Sequence, residues 1–319
     1  MSADGSIGFV FTRGGRFRAR STEVKLDHLR LVSVEESLPR IAFIRVPSEA
    51  ILVGLSIECS VPPTWGGIRL HSKELITLGA GQCAHMRTEG PCHWGGIWLP
   101  VQEFTRYSGA LTGTAIEVPP GVCRWQPRSG PERQFRRLYL AAIRTTHARS
   151  GPVIGAEAAH GLEQQLIHLL VECLSSEPAS LAAPTMRRGL DVMARFEELI
   201  RNRPEGNLSV PHIKAALGVS DRLLRKYSAE HLGMSPMSYV RLHRMQLANH
   251  TLRLGTPQTT RVADVAKRFG FGNLGRFAGA YRELYGELPF ETLRHPPHRG
   301  VPAIALHNRF AGANPRDFD

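Results

Sequence analysis

The chain has no stretch apolar enough to cross a bilayer as a helix. Such a helix needs about 20 consecutive, mostly apolar residues. The best candidate, residues 41–61, is broken by Arg45, Pro47, Glu49 and Glu58. A basic segment followed by a long apolar run is also lacking at the start, where residues 7–11 are too short a run for a signal peptide. The expectation is a cytoplasmic protein with no membrane partner. Cysteine is scarce: Cys59, Cys83, Cys92, Cys123 and Cys173 are an odd, scattered set without Cys-x-x-Cys spacing. That argues against a disulfide framework and predicts free thiols in a reducing compartment. Acidic residues are few beside basic ones, 28 Asp+Glu against 40 Lys+Arg, a formal +12. A surplus of this size points to an anionic partner and is silent about fold. The length, 319 residues, suggests two domains or one large one.

The surplus is unevenly spread. Divided at Pro184, in an Ala/Pro/Ser-rich stretch at 175–185 that reads as a linker, residues 1–185 carry 19 basic and 16 acidic side chains. Residues 186–299 carry 19 basic and 10 acidic, and the last 20 carry two of each. A charge concentration in one segment is the footprint of a nucleic-acid-binding module.

That basic segment has helical apolar spacing. Leu190, Met193, Phe196, Leu199 and Ile200 mark one helix, ended near Pro204. Pro211 suits a helix first turn, and Gly218 ends that helix. Ser220 reads as the N-cap of the next, through Leu224, Tyr227 and Leu232. Ser235-Pro236 opens a longer helix to about Arg253, and Thr260 reads as the cap of a further one stopped at Gly270. A last helix runs through Phe277, Tyr281 and Leu284 to Gly286 and Pro289. Within this lies a repeat. Val210, Ile213, Leu217, Gly218 and Val219 recur 52 residues on as Val262, Val265, Phe269, Gly270 and Phe271. Leu224, Leu232 and Gly233 recur 53 on as Phe277, Tyr285 and Gly286. Each copy is a short helix, a Gly-containing turn and a second helix, the helix-turn-helix arrangement.

The segments 262–293 and 217–245 together resemble the signature of the AraC/XylS family of transcription regulators, over about a third of the chain. The resemblance implies two helix-turn-helix units joined by a long helix and bound to adjacent major-groove segments of promoter DNA. Adjacent segments lie one turn, about 34 Å, apart. It implies DNA contact by Ser220, Asp221, Arg222, Arg225 and Lys226 of the first recognition helix. Arg222 and Arg225 share a face, and Arg suits bidentate contact with guanine, worth roughly 1–3 kcal/mol of discrimination. Asp221 either caps the helix or accepts from cytosine. In the second unit Asn273, Leu274, Gly275 and Arg276 occupy the corresponding surface. With glycines at 275 and 279, this unit is expected to specify fewer bases. Arg282, Lys267, Arg268 and Arg244 are expected at phosphates or in solvent.

Residues up to about 150 read as β-rich. Apolar runs at 51–57, 96–99 and 138–143 alternate with Gly/Pro turns, which fits a barrel or sandwich. The family resemblance implies a cupin-like barrel here. The stretch 83–94 holds Cys83, His85, Cys92 and His93, yet their spacing matches no structural zinc pattern, and no metal or cofactor is expected. A plain strand-turn-strand is one reading. A small-molecule pocket walled by Trp94 and Trp98, with His85 and Arg87 as polar handles, is another. Leu162, Leu166, Leu169, Leu170 and Leu174 form a helical stripe, read either as packing on its own domain or as a homodimer contact.

The expected architecture is α+β with two domains. A β-rich, cupin-like sensor and dimerisation domain spans 1–155, a helix and linker 156–184, an all-α double helix-turn-helix domain 185–295, and a disordered tail 296–319. The expected function is sequence-specific transcription regulation, not catalysis. A cupin-type metalloenzyme and a non-specific architectural DNA-binding protein are the rivals.

Overall fold

The computed structural model describes residues 6–15, 17–145, 155–175, 184–205 and 208–294. The expected tail at 296–319 and most of the linker at 175–185 lie outside them. Strands come first: β1 (Ser6–Phe11), β2 (Ala19–Lys25), β3 (Arg30–Glu36), β4 (Arg40–Arg45), β5 (Ala50–Cys59), β6 (Thr64–Trp65), β7 (Ile68–Arg69), β8 (Leu75–Leu78), β9 (Cys83–Arg87) and β10 (Cys92–Pro100). Helix α1 (Val101–Thr112), strand β11 (Val122–Trp125), and helices α2 (Ser129–Thr145) and α3 (Ala156–Leu174) follow. The rest is helical: α4 (Pro184–Asn202), α5 (Val210–Leu217), α6 (Asp221–Leu232), α7 (Pro236–Leu254), α8 (Val262–Arg268), α9 (Leu274–Tyr285) and α10 (Pro289–Arg294).

The strands make two antiparallel sheets, ordered β1-β4-β9-β6-β7 and β11-β8-β5-β10-β3-β2. Neither closes on itself, so the expected cupin-like barrel is here a pair of open sheets packed face to face. Side-chain alternation along each strand sorts the residues into layers. Ala42 and Ile44 of β4, Ala84 and Met86 of β9, and Trp65 meet Val32, Leu52 and Trp94 between the sheets. On the far side of the second sheet, Leu31, Ile51, Val53, Leu55, Ile97 and Leu99 pack against α1, α2 and α3. On the far side of the first, Val10 and Ile41 join the core of α4 to α7. A separate cluster holds α7, α8, α9 and Leu293 of α10 together.

Two further sequence expectations change, and one of the two readings of the α3 stripe finds support. Residues 138–143 belong to helix α2, because Phe135, Tyr139, Ala142 and Ile143 recur at helical spacing and bury one face. Cys59 and Cys92 are not free thiols. The β5–β10 register sets them opposite each other, and they form a disulfide; Cys83, Cys123 and Cys173 keep their thiols. The stripe on α3 faces its own domain. Leu166, Leu170 and Leu174 are fully buried against the second sheet, and Leu162 and Leu169 pack partly on the same core. Glu163 pins this helix: its buried carboxylate accepts from the main-chain N–H of His28 at 2.8 Å and of Leu29 at 3.2 Å. These leucines therefore serve the core of the monomer. Between α1, α2 and α3 remains a groove of about 580 Å³ lined by Tyr107, Leu111, Arg137, Leu138, Gln164 and Leu169, among others.

Candidate nucleic-acid interface

The duplicated pattern of the sequence is a duplicated structure. Helices α5 and α8 begin 52 residues apart, at Val210 and Val262. The second helices, α6 and α9, begin 53 apart, at Asp221 and Leu274. Gly218, Gly233, Gly270 and Gly286 all have positive φ, between 65° and 79°. Each leaves its helix or turn through the left-handed region that side chains other than glycine avoid. Both second helices are capped alike. Ser220 Oγ accepts from Leu223 N at 3.2 Å, and Asn273 Oδ1 from Arg276 N at 2.9 Å. The helix α8 differs from expectation: its cap position is Arg261, one residue after Thr260, without a side-chain cap bond.

Apolar residues set the roll of each second helix. Leu224, Tyr227 and Leu232 turn α6 inward, and Phe277 and Tyr281 do the same for α9. The opposite faces are thereby presented to solvent. Ser220, Arg222, Arg225 and Lys226 are exposed and Asp221 half-buried on one; Asn273, Leu274, Gly275, Arg276 and Arg282 are exposed on the other. Ser220 supplies the cap, so Asp221 does not; its carboxylate accepts from Arg225 Nε at 2.7 Å. Lys226 lies 3.9 Å from Glu230. With the 53-residue offset, Arg222, Arg225 and Lys226 correspond to Gly275, Ala278 and Gly279. At these three positions one face carries cations and the other nothing larger than a methyl group, which leaves Leu274, Arg276 and Arg282 as its projecting side chains.

The remaining cations divide. Lys267, Arg268 and Arg282 are exposed, with Arg268 Nε donating to Glu205 at 2.7 Å. Arg244 is buried at 7% exposure on α7, and burial lowers its pKa. It is therefore not available to solvent or phosphate as expected. Helix α7 has a reason for this: the N-terminal sheet covers one side and the helix-turn-helix units the others, so polar Gln246, His243 and Asn249 are buried along with its apolar residues.

The four residues grouped as a small-molecule pocket are parted by strand parity. Trp94 sits between the sheets, edge-on to Trp65 with ring centres 5.8 Å apart, and Trp98 packs on the same layer. His85 and Arg87 project from the opposite face of the first sheet, toward the C-terminal helices. His85 Nε2 lies 3.2 Å from Glu197 of α4, and the Arg87 guanidinium crowds Gly233 so closely that a Cβ there would collide. Sequence reading missed Glu197. Its signal was an acid inside the apolar stripe of α4, four residues after Met193 and beside Phe196. Burial pushes the Glu197 carboxyl up, but the hydrogen bond of His85 with the charges of His85, His243 and Arg201 outweighs this and holds it down at about 2. Among the described residues, no three His, Cys, Asp or Glu side chains cluster as a metal site, and no helix is long and apolar enough to cross a membrane.

Comparison with known proteins falls on the same region. The profile of a helix-turn-helix domain matches residues 213–295. The XylDLEGF operon transcriptional activator of Pseudomonas putida is 28% identical over 157 residues, 49% of this chain and 47% of that protein. The XylDLEGF operon transcriptional activator 2 of the same organism is 30% identical over 124 residues, 39% of this chain and 77% of its relative. Among solved structures, a probable AraC family transcriptional regulator from Rhodopseudomonas palustris is 36% identical, covering 32% of this chain and 94% of that one, with a TM-score of 0.30. The chain spans about half the length of the first of these relatives.

Proposed function

The chain belongs to the AraC/XylS family of transcription regulators, and from that premise we propose that it regulates transcription by sequence-specific binding of promoter DNA. The observation that carries the proposal is the pair of equally capped second helices, 53 residues apart in sequence, each with its outer face free. Arg222, Arg225 and Arg276 read base edges in the major groove, Asn273 and Leu274 assist, and Arg282 holds a phosphate. The first unit carries most of the sequence discrimination. The smooth face of α9 lets its backbone approach the DNA closely.

We divide the chain as 1–155, a sensor and dimerisation domain; 156–184, a helix and linker; and 185–295, the DNA-binding domain; the expected tail at 296–319 lies outside the described residues. The packing of α3 counts that helix with the first unit. Dimerisation then falls to surfaces other than the buried leucines, with the groove beside Leu169 and Leu111 as the candidate. An effector enters between the sheets, where Arg40 Nη1, Trp65 Nε1 and Trp94 Nε1 are buried donors that find no acceptor among the described residues. An acceptor-bearing molecule suits that set. We place the protein in the cytoplasm and assign it no catalytic role.

Selection of duplexes from a random library, followed by footprinting, tests the proposal. The expected result is one enriched sequence, protected in two patches a helical turn apart on one face. Uniform protection of all DNA overturns it in favour of architectural binding.

A further inference from the structure

Glu197 is 2% exposed, yet its carboxylate is shared by three elements from both halves of the chain. Tyr239 of α7 donates its hydroxyl to it at 2.8 Å, Arg201 of α4 its Nε at 3.0 Å, and His85 of β9 approaches at 3.2 Å. The contacts around it tie the same partners. Val10 and Ile41 of the N-terminal sheet lie in one apolar cluster with Phe196 and Tyr239. Gln246 of α7 donates to the carbonyl of Phe9 at 2.8 Å.

A buried carboxylate is tolerated only while its partners surround it, because an uncompensated charge in the interior is strongly destabilising. This one is satisfied only when β9, α4 and α7 are all in place. Tyr239 stands in the first turn of α7, the helix that separates the two reading units. Both reading faces are exposed in this arrangement, so the contact does not cover the DNA surface.

We propose that Glu197 is a positioning residue, a buried latch through which the N-terminal sheet fixes α7 and so aligns the two reading helices on a two-part DNA site. The proposal rests on the DNA-binding reading above. With the latch engaged, the alignment exists before DNA arrives. With it released, each unit still meets its own half-site, but the second contact no longer follows from the first.

The test uses the full chain, a duplex selected by the wild-type protein from a random library, and the same duplex with one half-site scrambled. Wild type prefers the intact duplex. Glu197→Gln and Tyr239→Phe, which keeps the ring, lower that preference about tenfold and leave affinity for the scrambled duplex unchanged. His85→Gln does the same, and combining it with Glu197→Gln adds nothing further. Equal losses on both duplexes, or no loss in folded variants, overturn the proposal. Hydrogen exchange of the free chains decides it without DNA: β9 and α7 amides lose protection together in Glu197→Gln, and loss confined to α4 overturns the latch. If wild type enriches no sequence, the DNA-binding reading fails, while exchange still decides whether the latch exists.

Discussion

Ser220 and Asn273 do the same work 53 residues apart: each side-chain oxygen accepts a hydrogen bond from the main-chain N–H three residues ahead, closing the first turn of a second helix. Different residue types reach the same geometry, so the two units share the cap without sharing the side chain. Ser220→Ala or Asn273→Ala should each cost about 1 kcal/mol. Chemical denaturation of the full chain checks this; the Gly counterparts should lose only a few tenths.

Among the described residues, Arg222 finds no ion-pair partner of the kind that Arg225 finds in Asp221, and it stands exposed on the outer face of α6. Arg222→Ala should relax preference at one base step, by roughly 1–3 kcal/mol, in binding assays with single-base variants of the selected duplex. Arg282→Ala should instead weaken all sequences alike and reduce the slope of affinity against salt by about one.

His231 is buried where α6 meets Gly189 of α4, and burial, with the charge of His85 added, lowers its pKa to about 4. The unfolded chain takes up this proton nearer pH 6.5, so its contribution is intact above that pH. It is lost as pH falls from about 6.5 to about 4, by about 3 kcal/mol in all. Glu197, held at about 2, loses its contribution lower, between about pH 4.5 and 2. Thermal melts from pH 7 to 4 should decline in wild type and flatten in His231→Gln.

Leu166 and Leu169 separate core from surface on α3. Leu166 is fully buried against the second sheet, and Leu169 lines the outer groove. Leu166→Ala should destabilise by about 2–5 kcal/mol without changing the oligomeric state. Leu169→Asp should change the sedimentation of a dimer formed through the groove.

Local features explain what was legible beforehand. Capping residues, turn glycines and apolar spacing are all decided within a few residues, so the helices of the basic segment and their repeat could be read directly. Residues 138–143 mislead when the run is read alone: Tyr139 and Ile143 suit a strand by propensity, and the helical period shows only when Phe135 is counted with them. The Cys59–Cys92 pairing follows from strand register, a long-range property that spacing does not encode. The pocket grouping failed on parity, since His85 and Trp94 are close in sequence but lie on different faces of the sheets. Glu197 was visible as a misplaced acid, but its partners His85 and Tyr239 stand 112 and 42 residues away.

Helix α7 has 19 residues, about 28 Å of rise, and is buried all round over its middle, residues 243–249. A residue inserted into it would advance the second unit by about 1.5 Å and swing it by about 100°. The helix is therefore a protractor more than a spacer. Substitutions along it adjust how firmly the angle is held, but its length admits no small change; under the proposed function, variation in the spacing of half-sites must then be met by the DNA.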